Sequence, residues 1–322
     1  MPAYPTLSIA LPLCSQVAAG SLLPAEDCFL LANKLAQAPL FHLRRVTMDG
    51  QPLQLAGLTI NNPADPSALA SADLVLIPGL GQQPDLTEPQ LASMATLLQA
   101  GRDGPTKLAS LCSGAFLLAA TGRLDGRRAT THWALASRFR QAYPRVKLDI
   151  SALHTEDGGL YCSGGAHAGL DLCLHLIAGH TGPALARQVA NALVIDWPRQ
   201  SQTAYSGLQL DTRHGDTAVA QVQAWLHRHY AQAIRLEDLA AEAHLSPRTL
   251  LRRFKQATGE TPIGYLQQLR IDAAKLLLET SSLSVDQIMA AVGYEDRASF
   301  GQLFKTLAAC SPQQYRLRAR PG

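Results

Sequence analysis

The sequence predicts an α/β domain with a mostly parallel sheet over residues 1–200, followed by an all-α domain carrying two helix-turn-helix units. Three observations point there. Short apolar runs alternate with helical stretches through the first part, as they do in α/β folds. One of those runs passes straight into a helix at Cys112, between the small residues Ser110 and Gly114. Between Leu236 and Tyr315 the chain then repeats one helical motif, and Phe254, Lys255, Pro262 and Tyr265 recur 50 positions later as Phe304, Lys305, Pro312 and Tyr315.

Taken in order, Leu7–Leu13, Phe41–Val46, Asp73–Pro78 and Lys107–Cys112 read as strands. The stretches Leu22–Ala38, Pro89–Ala100, Gly114–Thr121 and Ala134–Tyr143 read as helices between or after them. Leu160–Ser163 is a further strand that leads through Gly164-Gly165 into a helix at Ala168–Ala178, and another helix follows at Pro183–Ile195. Gln200–Gly215, rich in Ser, Thr, Gln and Gly, reads as a linker, so the domains fall at 1–200 and 217–322 with 201–216 between them.

The tail has the local chemistry of a helix-turn-helix. Ser246-Pro247 supplies an N-cap and a Pro at the first helical position. Leu250, Leu251 and Phe254 fall on one face of that helix, and Arg248, Thr249, Arg252, Arg253 and Lys255 populate the rest, with no acid between His244 and Ala257. Thr261-Pro262 opens a longer amphipathic helix through Leu266, Leu269, Ala273, Leu276 and Leu277 that joins the two units. In the second unit Ser284-Val285-Asp286-Gln287 has the form of a capping box. Asp296 is placed to cap the helix in which Phe300, Leu303, Phe304 and Leu307 face inward and Arg297, Ser299, Gln302 and Lys305 face outward. A period of 50 residues signals one supersecondary unit used twice. Two such units reach successive major grooves on one face of a duplex, about 34 Å apart. The candidate DNA-contacting residues are therefore Ser246, Arg248, Thr249, Arg252, Arg253 and Lys255 in the first unit and Arg297, Ser299, Gln302 and Lys305 in the second.

These residues closely resemble the AraC/XylS family of transcriptional regulators over about Thr217 to Arg316. The strongest stretch runs from Arg270 through Ala274, Ile288, Gly293-Tyr294, Ser299-Phe300, Phe304-Lys305 and Pro312 to Tyr315-Arg316. Three positions depart from the family pattern. Ala309 stands where a helix-ending Gly is usual, Gly301 lies inside the second recognition helix, and Arg235 replaces a capping Ser or Thr. A helix-interior Gly costs roughly 1 kcal/mol relative to Ala, so the second unit is expected to be the looser reader.

In the first domain the most informative spot is Leu108-Ala109-Ser110-Leu111-Cys112-Ser113-Gly114-Ala115-Phe116. An apolar strand ends at Cys112 and a helix starts at once, which is the geometry of a nucleophile elbow. A Cys at a helix N-terminus is expected to have a lowered pKa. Pro78-Gly79-Leu80-Gly81 ends the preceding strand and is expected to aim backbone N–H groups at the same place. Strand ends of this kind are where open parallel sheets bind ligands. The candidate pocket is Gly79, Leu80, Gly81, Cys112, Ser113 and His132.

This part resembles the PfpI-like branch of the class I glutamine amidotransferase superfamily across nearly all of residues 6–197. The matching pieces are Ile77–Gly81, Leu111–Ala120 with Gly122–Arg127, Ala129–Trp133, and Ser163-Gly164-Gly165 leading to Ala168–Asp171. The resemblance implies a flavodoxin-like sandwich. A PfpI-like domain ahead of an AraC-type tail is the order of the GlxA-type regulators.

Catalysis by Cys112 needs a base and an orienting acid. His132 is available, but Ser113 follows Cys112 where PfpI-type peptidases carry His, and no Asp or Glu lies between Cys14 and Leu23. Glu26, after Pro24, is within reach of the pocket, but a first-turn helix acid is more often a dipole partner than a catalyst. No catalytic residue is therefore assigned. The expected protein is a transcriptional regulator whose first domain senses a small, nitrogenous or amino-acid-like metabolite. A Cys-dependent amidase or hydrolase fused to a DNA reader, or a redox sensor acting through Cys112, are the alternatives.

Composition agrees with a globular chain: 47% apolar and 16% charged residues among 322. The net charge of +3 sits in the tail, since residues 1–205 hold 14 basic and 14 acidic side chains and residues 206–322 hold 14 and 11. That excess is small, and it is the placement of the basic residues on the helices that points to DNA. No run of 18 apolar residues marks a membrane span, and Met1-Pro2-Ala3-Tyr4-Pro5 lacks the basic start of a signal peptide. The six cysteines (14, 28, 112, 162, 173 and 310) form no C-x-x-C spacing, as expected of free thiols in a reducing cytoplasm. No metal site and no cofactor are expected. The expected partners are double-stranded DNA, a small effector, a second copy of the chain through the N-terminal domain, and RNA polymerase.

Overall fold

The computed structural model describes residues 4–81, 84–87, 89–100, 106–165, 167–198, 214–308 and 310–319. The chain divides into two compact units, 1–202 and 203–322.

In the first unit, β1 (Leu7–Pro12) leads to α1 (Ala19–Ala36), β2 (Phe41–Val46), the short β3 (Leu53–Leu55) and β4 (Leu58–Ile60), α2 (Ser67–Ala70) and β5 (Leu74–Ile77). Then come α3 (Pro89–Ala100), β6 (Lys107–Ser110), a 3₁₀ turn at Cys112–Gly114, α4 (Ala115–Ala120), β7 (Arg128–Ala129), a 3₁₀ turn at Trp133–Leu135 and α5 (Ala136–Ala142). The unit closes with β8 (Lys147–Leu148), β9 (His154–Asp157), β10 (Leu160–Ser163), α6 (Ala168–Thr181) and α7 (Pro183–Ala192).

Six strands make one sheet in the order β2-β1-β5-β6-β10-β9. All neighbours are parallel except β9, which pairs antiparallel with β10. Every residue of β5 is buried, as expected where helices cover both faces of a parallel sheet. Helices α1, α6 and α7 pack together as one covering layer, and α2, α3 and α4 as another. The core is continuous across the sheet, with Ile9, Leu11, Leu74, Leu76, Ile77, Phe29 and Phe139 each under 2% exposed.

Two hairpins escape the sequence reading. The β3–β4 pair turns through Ala56 (φ 49°) and Gly57 (φ 82°), and β9–β10 turns through Gly158 (φ 62°) and Gly159 (φ 78°). Consecutive left-handed residues suit the twist of a two-residue hairpin. The Gly158-Gly159 pair is a recognisable signal, whereas Ala56 in place of Asn or Asp hides the first turn.

The second unit contains α8 (Thr217–His229), α9 (Leu236–Glu242), α10 (Pro247–Thr258), α11 (Pro262–Thr280), α12 (Val285–Ala291), α13 (Arg297–Ala308) and α14 (Pro312–Ala319). Its caps follow the sequence chemistry. Ser246, Thr261 and Ser284 accept from the backbone N–H groups of Thr249, Gly264 and Gln287 at 3.2, 3.0 and 3.2 Å. The Gln287 side-chain oxygen in turn accepts from the Ser284 N–H at 2.8 Å, and Asp296 accepts from the Ser299 N–H at 2.7 Å. At Arg235, Asp238 supplies the reciprocal half of a capping box, its carboxylate accepting from the Arg235 N–H at 2.7 Å.

Two small cores result. One gathers Val219, Val222, Leu226, Leu239, Leu250, Phe254, Tyr265, Leu266 and Leu269. The other gathers Ile271, Ala274, Leu278, Ile288, Val292, Phe300, Phe304 and Ala308. Helix α11 serves both, which corrects the apolar stripe expected along it. Leu276 is 58% exposed, while Ile271, Ala274 and Leu278 are fully buried. A helix that passes from one core to another changes its buried face midway, and a single 3.6-residue period cannot show that. Arg270 secures the junction: Nε and Nη2 donate to the carbonyls of Tyr230 and Gln232, both at 2.7 Å, and its guanidinium lies 5.2 Å from the centre of the Tyr294 ring.

Of the stretch read as a linker, residues 201–213 lie outside the described residues, as does Ala309. Asp216 belongs to the folded unit, because its side chain accepts from the Val219 N–H at 3.1 Å and caps α8. Among the described residues no helix is long and apolar enough to cross a membrane.

Candidate functional sites

The elbow at Cys112 is built as its flanking residues require. Cys112 has φ of 53°, a left-handed conformation that a non-glycine side chain holds only where its surroundings enforce it. Gly114 allows the turn to pack closely. A Cβ there would lie 2.5 Å from the Pro78 carbonyl oxygen and 2.8 Å from that of Ile77, so the turn packs against the end of β5 with no room for a side chain.

Gly79, Leu80, Ser113 and the segment carrying His132 meet at the elbow. Gly79 packs on Cys112, since a Cβ at position 79 would stand 3.5 Å from the Cys112 Cβ and 3.2 Å from the Ser21 hydroxyl. Thr131 donates to the Cys112 carbonyl at 2.9 Å and holds the segment carrying His132 against the elbow. The His132 ring lies close to Gly165, where a Cβ would meet Cδ2 at 3.3 Å, and 5.2 Å from the Trp133 ring centre. Gly81 is exposed with φ of 73°.

Three expectations about this site are overturned. The backbone N–H groups of Gly79 and Leu80 do not point into open space. Gly79 N–H donates to the Ser21 hydroxyl at 2.9 Å and Leu80 N–H to the Ser113 hydroxyl at 2.9 Å. The Cys112 N–H is likewise turned toward the Ser163 hydroxyl, at 3.4 Å. Ser21, Ser113 and Ser163 are all buried. Second, the thiol is not activated: burial pushes the Cys112 pKa up, and hydrogen bonding from Ser113 offsets only part of that. Third, α1 starts at Ala19, so Glu26 lies two turns into the helix and does not face its N-terminus. The Glu26 carboxylate is buried and takes both Nε and Nη2 of Arg45, each at 2.7 Å.

His132 is no better placed as a base. Its Nδ1 accepts from the Ala134 N–H at 3.1 Å, which leaves the proton of the neutral ring on Nε2 as a donor. Burial pushes its pKa down, favouring that neutral form. Ser21, Ser163 and Gly165 also border the elbow, beyond the residues expected from the sequence. A serine on a helix or at a strand end has no local pattern that announces a distant backbone partner.

In the second unit the two candidate surfaces differ in detail. On α10 the side chains of Arg248, Arg252 and Lys255 are exposed, opposite the buried Leu250 and Phe254, while Thr249 is half-buried and joined to Ser246 by a 2.8 Å hydroxyl–hydroxyl bond. Arg253, a candidate DNA contact, is engaged within the helical unit. Its guanidinium is taken by the Asp216 carboxylate, Nε to Oδ2 at 2.8 Å and Nη2 to Oδ1 at 2.6 Å. On α13 Ser299, Gln302 and Lys305 are exposed, and Arg297 is exposed with Nε 3.4 Å from Asp286. Leu251, expected on the buried face, is 40% exposed.

Family models match both halves: a helix-turn-helix domain over residues 239–318 and the DJ-1/PfpI family over residues 54–179. Over nearly its whole length the chain is similar to the HTH-type transcriptional regulator CdhR of Pseudomonas aeruginosa, 32% identical over 295 residues that cover 91% of this chain and 86% of that protein. The chain is an AraC-family transcriptional regulator with an N-terminal DJ-1/PfpI domain. The regulator is also 29% identical to the HTH-type transcriptional regulator GlxA of Rhizobium meliloti over 300 residues, covering 92% of this chain and 91% of that one. Its N-terminal fold is shared with an AraC family transcriptional regulator from Pseudomonas putida (TM-score 0.52, 23% identity, 58% of this chain and 99% of that one). A transcriptional regulator protein from Vibrio parahaemolyticus shares it too (TM-score 0.54, 17% identity, 59% and 100%). This regulator thus binds DNA through its helical unit, and its relatives are named as regulators and not as enzymes.

Proposed function

We propose that the DJ-1/PfpI unit of this regulator is a sensor that binds a small nitrogenous or amino-acid-like metabolite at the Cys112 elbow, bordered by Gly79, Leu80, Gly81, Ser113 and His132. The observation that carries this reading is the capping of the loop and elbow N–H groups by Ser21, Ser113 and Ser163. An acyl-transfer site needs free N–H donors aimed at a developing oxyanion and an ionisable thiol. Here the N–H groups of Gly79, Leu80 and Cys112 face serine hydroxyls, and burial pushes the thiol pKa up. What remains is a polar, uncharged edge with the Nε2–H of His132 as a donor that suits a carboxylate. A ligand that prefers one arrangement of the protein shifts its DNA-binding population only by that difference in affinity. A second copy, joined through the first unit, and RNA polymerase complete the proposed set of partners.

For the helical unit, the proposed DNA contacts are Arg248 and Arg252 as base readers, Ser246, Thr249 and Lys255 beside them, and Arg297, Ser299, Gln302 and Lys305 in the second unit. Replacing a base-reading Arg costs about 1–3 kcal/mol and relaxes preference at one base pair, whereas loss of a phosphate contact lowers affinity uniformly and flattens the salt dependence. If Arg248→Ala and Arg252→Ala both leave affinity for a selected site unchanged, the assignment to α10 fails. For the sensor, thermal shift of the full chain against amino acids and small amines is the test. A true ligand at a hundredfold excess over its dissociation constant adds roughly 2.7 kcal/mol, and Cys112→Ser or His132→Ala should reduce the shift. A ligand whose effect ignores both substitutions binds elsewhere and removes the elbow from consideration.

A further inference from the structure

Leu251 lies on α10 three residues after Arg248 and four before Lys255, beside Arg252, so the four side chains share one helix face. It is 40% exposed, and the first core draws on α10 through Leu250 and Phe254, with Ala257 packed at its margin. A single exposed leucine is ordinary on a protein surface. This one stands among the cations of the face proposed to enter the major groove. The apolar group that the groove offers there is the 5-methyl of thymine.

We propose that Leu251 is a specificity-determining residue that selects thymine at one operator position by packing on its methyl group. The inference rests on the reading of α10 as the groove-entering helix. The offset of 50 that relates Phe254 to Phe304 and Lys255 to Lys305 places Gly301 of α13 in the position of Leu251. Gly301 has no side chain, and a Cβ built there would meet nothing within 4 Å. The second unit therefore makes no matching demand. The operator half read by α10 carries a required thymine that the half read by α13 lacks.

The test starts from sites selected with the full-length protein out of a random duplex pool. Each thymine of a selected site is then replaced singly by 2′-deoxyuridine, which removes the methyl group and leaves the hydrogen-bonding edge unchanged. For the native protein one such replacement, in one half of the site, should weaken binding about fourfold, the value of one buried methyl group. Leu251→Ala should weaken binding to the thymine site by at least that factor and bind the thymine and deoxyuridine sites equally. Its exposed position predicts an unchanged urea midpoint, which checks the fold. Indifference of the native protein to every deoxyuridine, or an equal response in Leu251→Ala, overturns the proposal. The two levels of failure separate cleanly. If Arg248→Ala and Arg252→Ala lose affinity while Leu251 shows no coupling, the Leu251 assignment alone falls. If all three leave affinity unchanged, the groove-helix reading falls with it.

Discussion

Arg253 and Asp216, 37 residues apart, are joined by two parallel hydrogen bonds of 2.8 and 2.6 Å between a guanidinium fork and a carboxylate. Asp216 also caps α8 by accepting from Val219. One carboxylate therefore ties the start of the helical unit to α10, and an arginine that looks available in the sequence is paired within the unit.

The Asp216 carboxyl is held below the usual carboxylate range, first by its hydrogen bonds to Arg253 and then by the cap N–H and nearby charge. A carboxyl whose pKa is depressed by folding stabilises the folded form fully above the unfolded value, about 3.9. That contribution is lost as the pH falls through the lower folded value. Asp216→Asn should therefore be less stable than the native protein at pH 7, with the gap in urea midpoint closing toward pH 3. A gap of constant size would mean that the ionised pair contributes nothing. Asp216→Ala, which removes the cap as well, should lose about a further 1 kcal/mol.

Two glycines of the second helix-turn-helix should respond in opposite directions. Gly301→Ala enters open space inside a helix and should stabilise the unit by up to roughly 1 kcal/mol. Gly293 has φ of 84°, and a Cβ there would stand 2.5 Å from the Ala231 carbonyl oxygen, so Gly293→Ala should destabilise. Urea unfolding of the pair decides the matter, and a destabilised Gly301→Ala would expose a packing role absent from the contacts seen here.

Gly114→Ala should destabilise the first unit by about 1–3 kcal/mol through overpacking. Its methyl group would contact two backbone carbonyls, which cannot rotate away as a flexible side chain does. An unchanged midpoint would show that the elbow can shift without cost.

A thiol kept neutral by burial should react slowly. Alkylation of Cys112 by iodoacetamide should be slow at pH 7 and rise only beyond the ordinary thiol value of about 8.5, with Cys112→Ser isolating the signal from the other cysteines. Candidate amides, peptides and α-oxoaldehydes should not be turned over. Cys112-dependent turnover above background would overturn the sensor reading.

Much of the fold is legible along the chain because its signals are local. A hydroxyl before a proline starts α10 and α11, the Ser284–Gln287 pair starts α12, and continuous apolar runs mark β1, β5 and β6. The repeat at 50 residues exposes the paired units in the same way. Other features have no local signature. His244 carries the left-handed turn of the first unit at φ 52°, where Gly293 carries that of the second at φ 84°. A histidine there does not announce the turn as a glycine does.

The sequence by itself determined the two kinds of domain, the elbow at Cys112 and the paired helix-turn-helix units, because periodicity, caps and small-residue spacing act over a few turns of chain. Tertiary structure decided which polar groups remain free to act. Gly79, Leu80 and Cys112 turn their N–H groups to serines at positions 21, 113 and 163, and Arg253 turns to Asp216. Buried or crowded donors find acceptors wherever the fold brings them, and those acceptors lie many residues away along the chain.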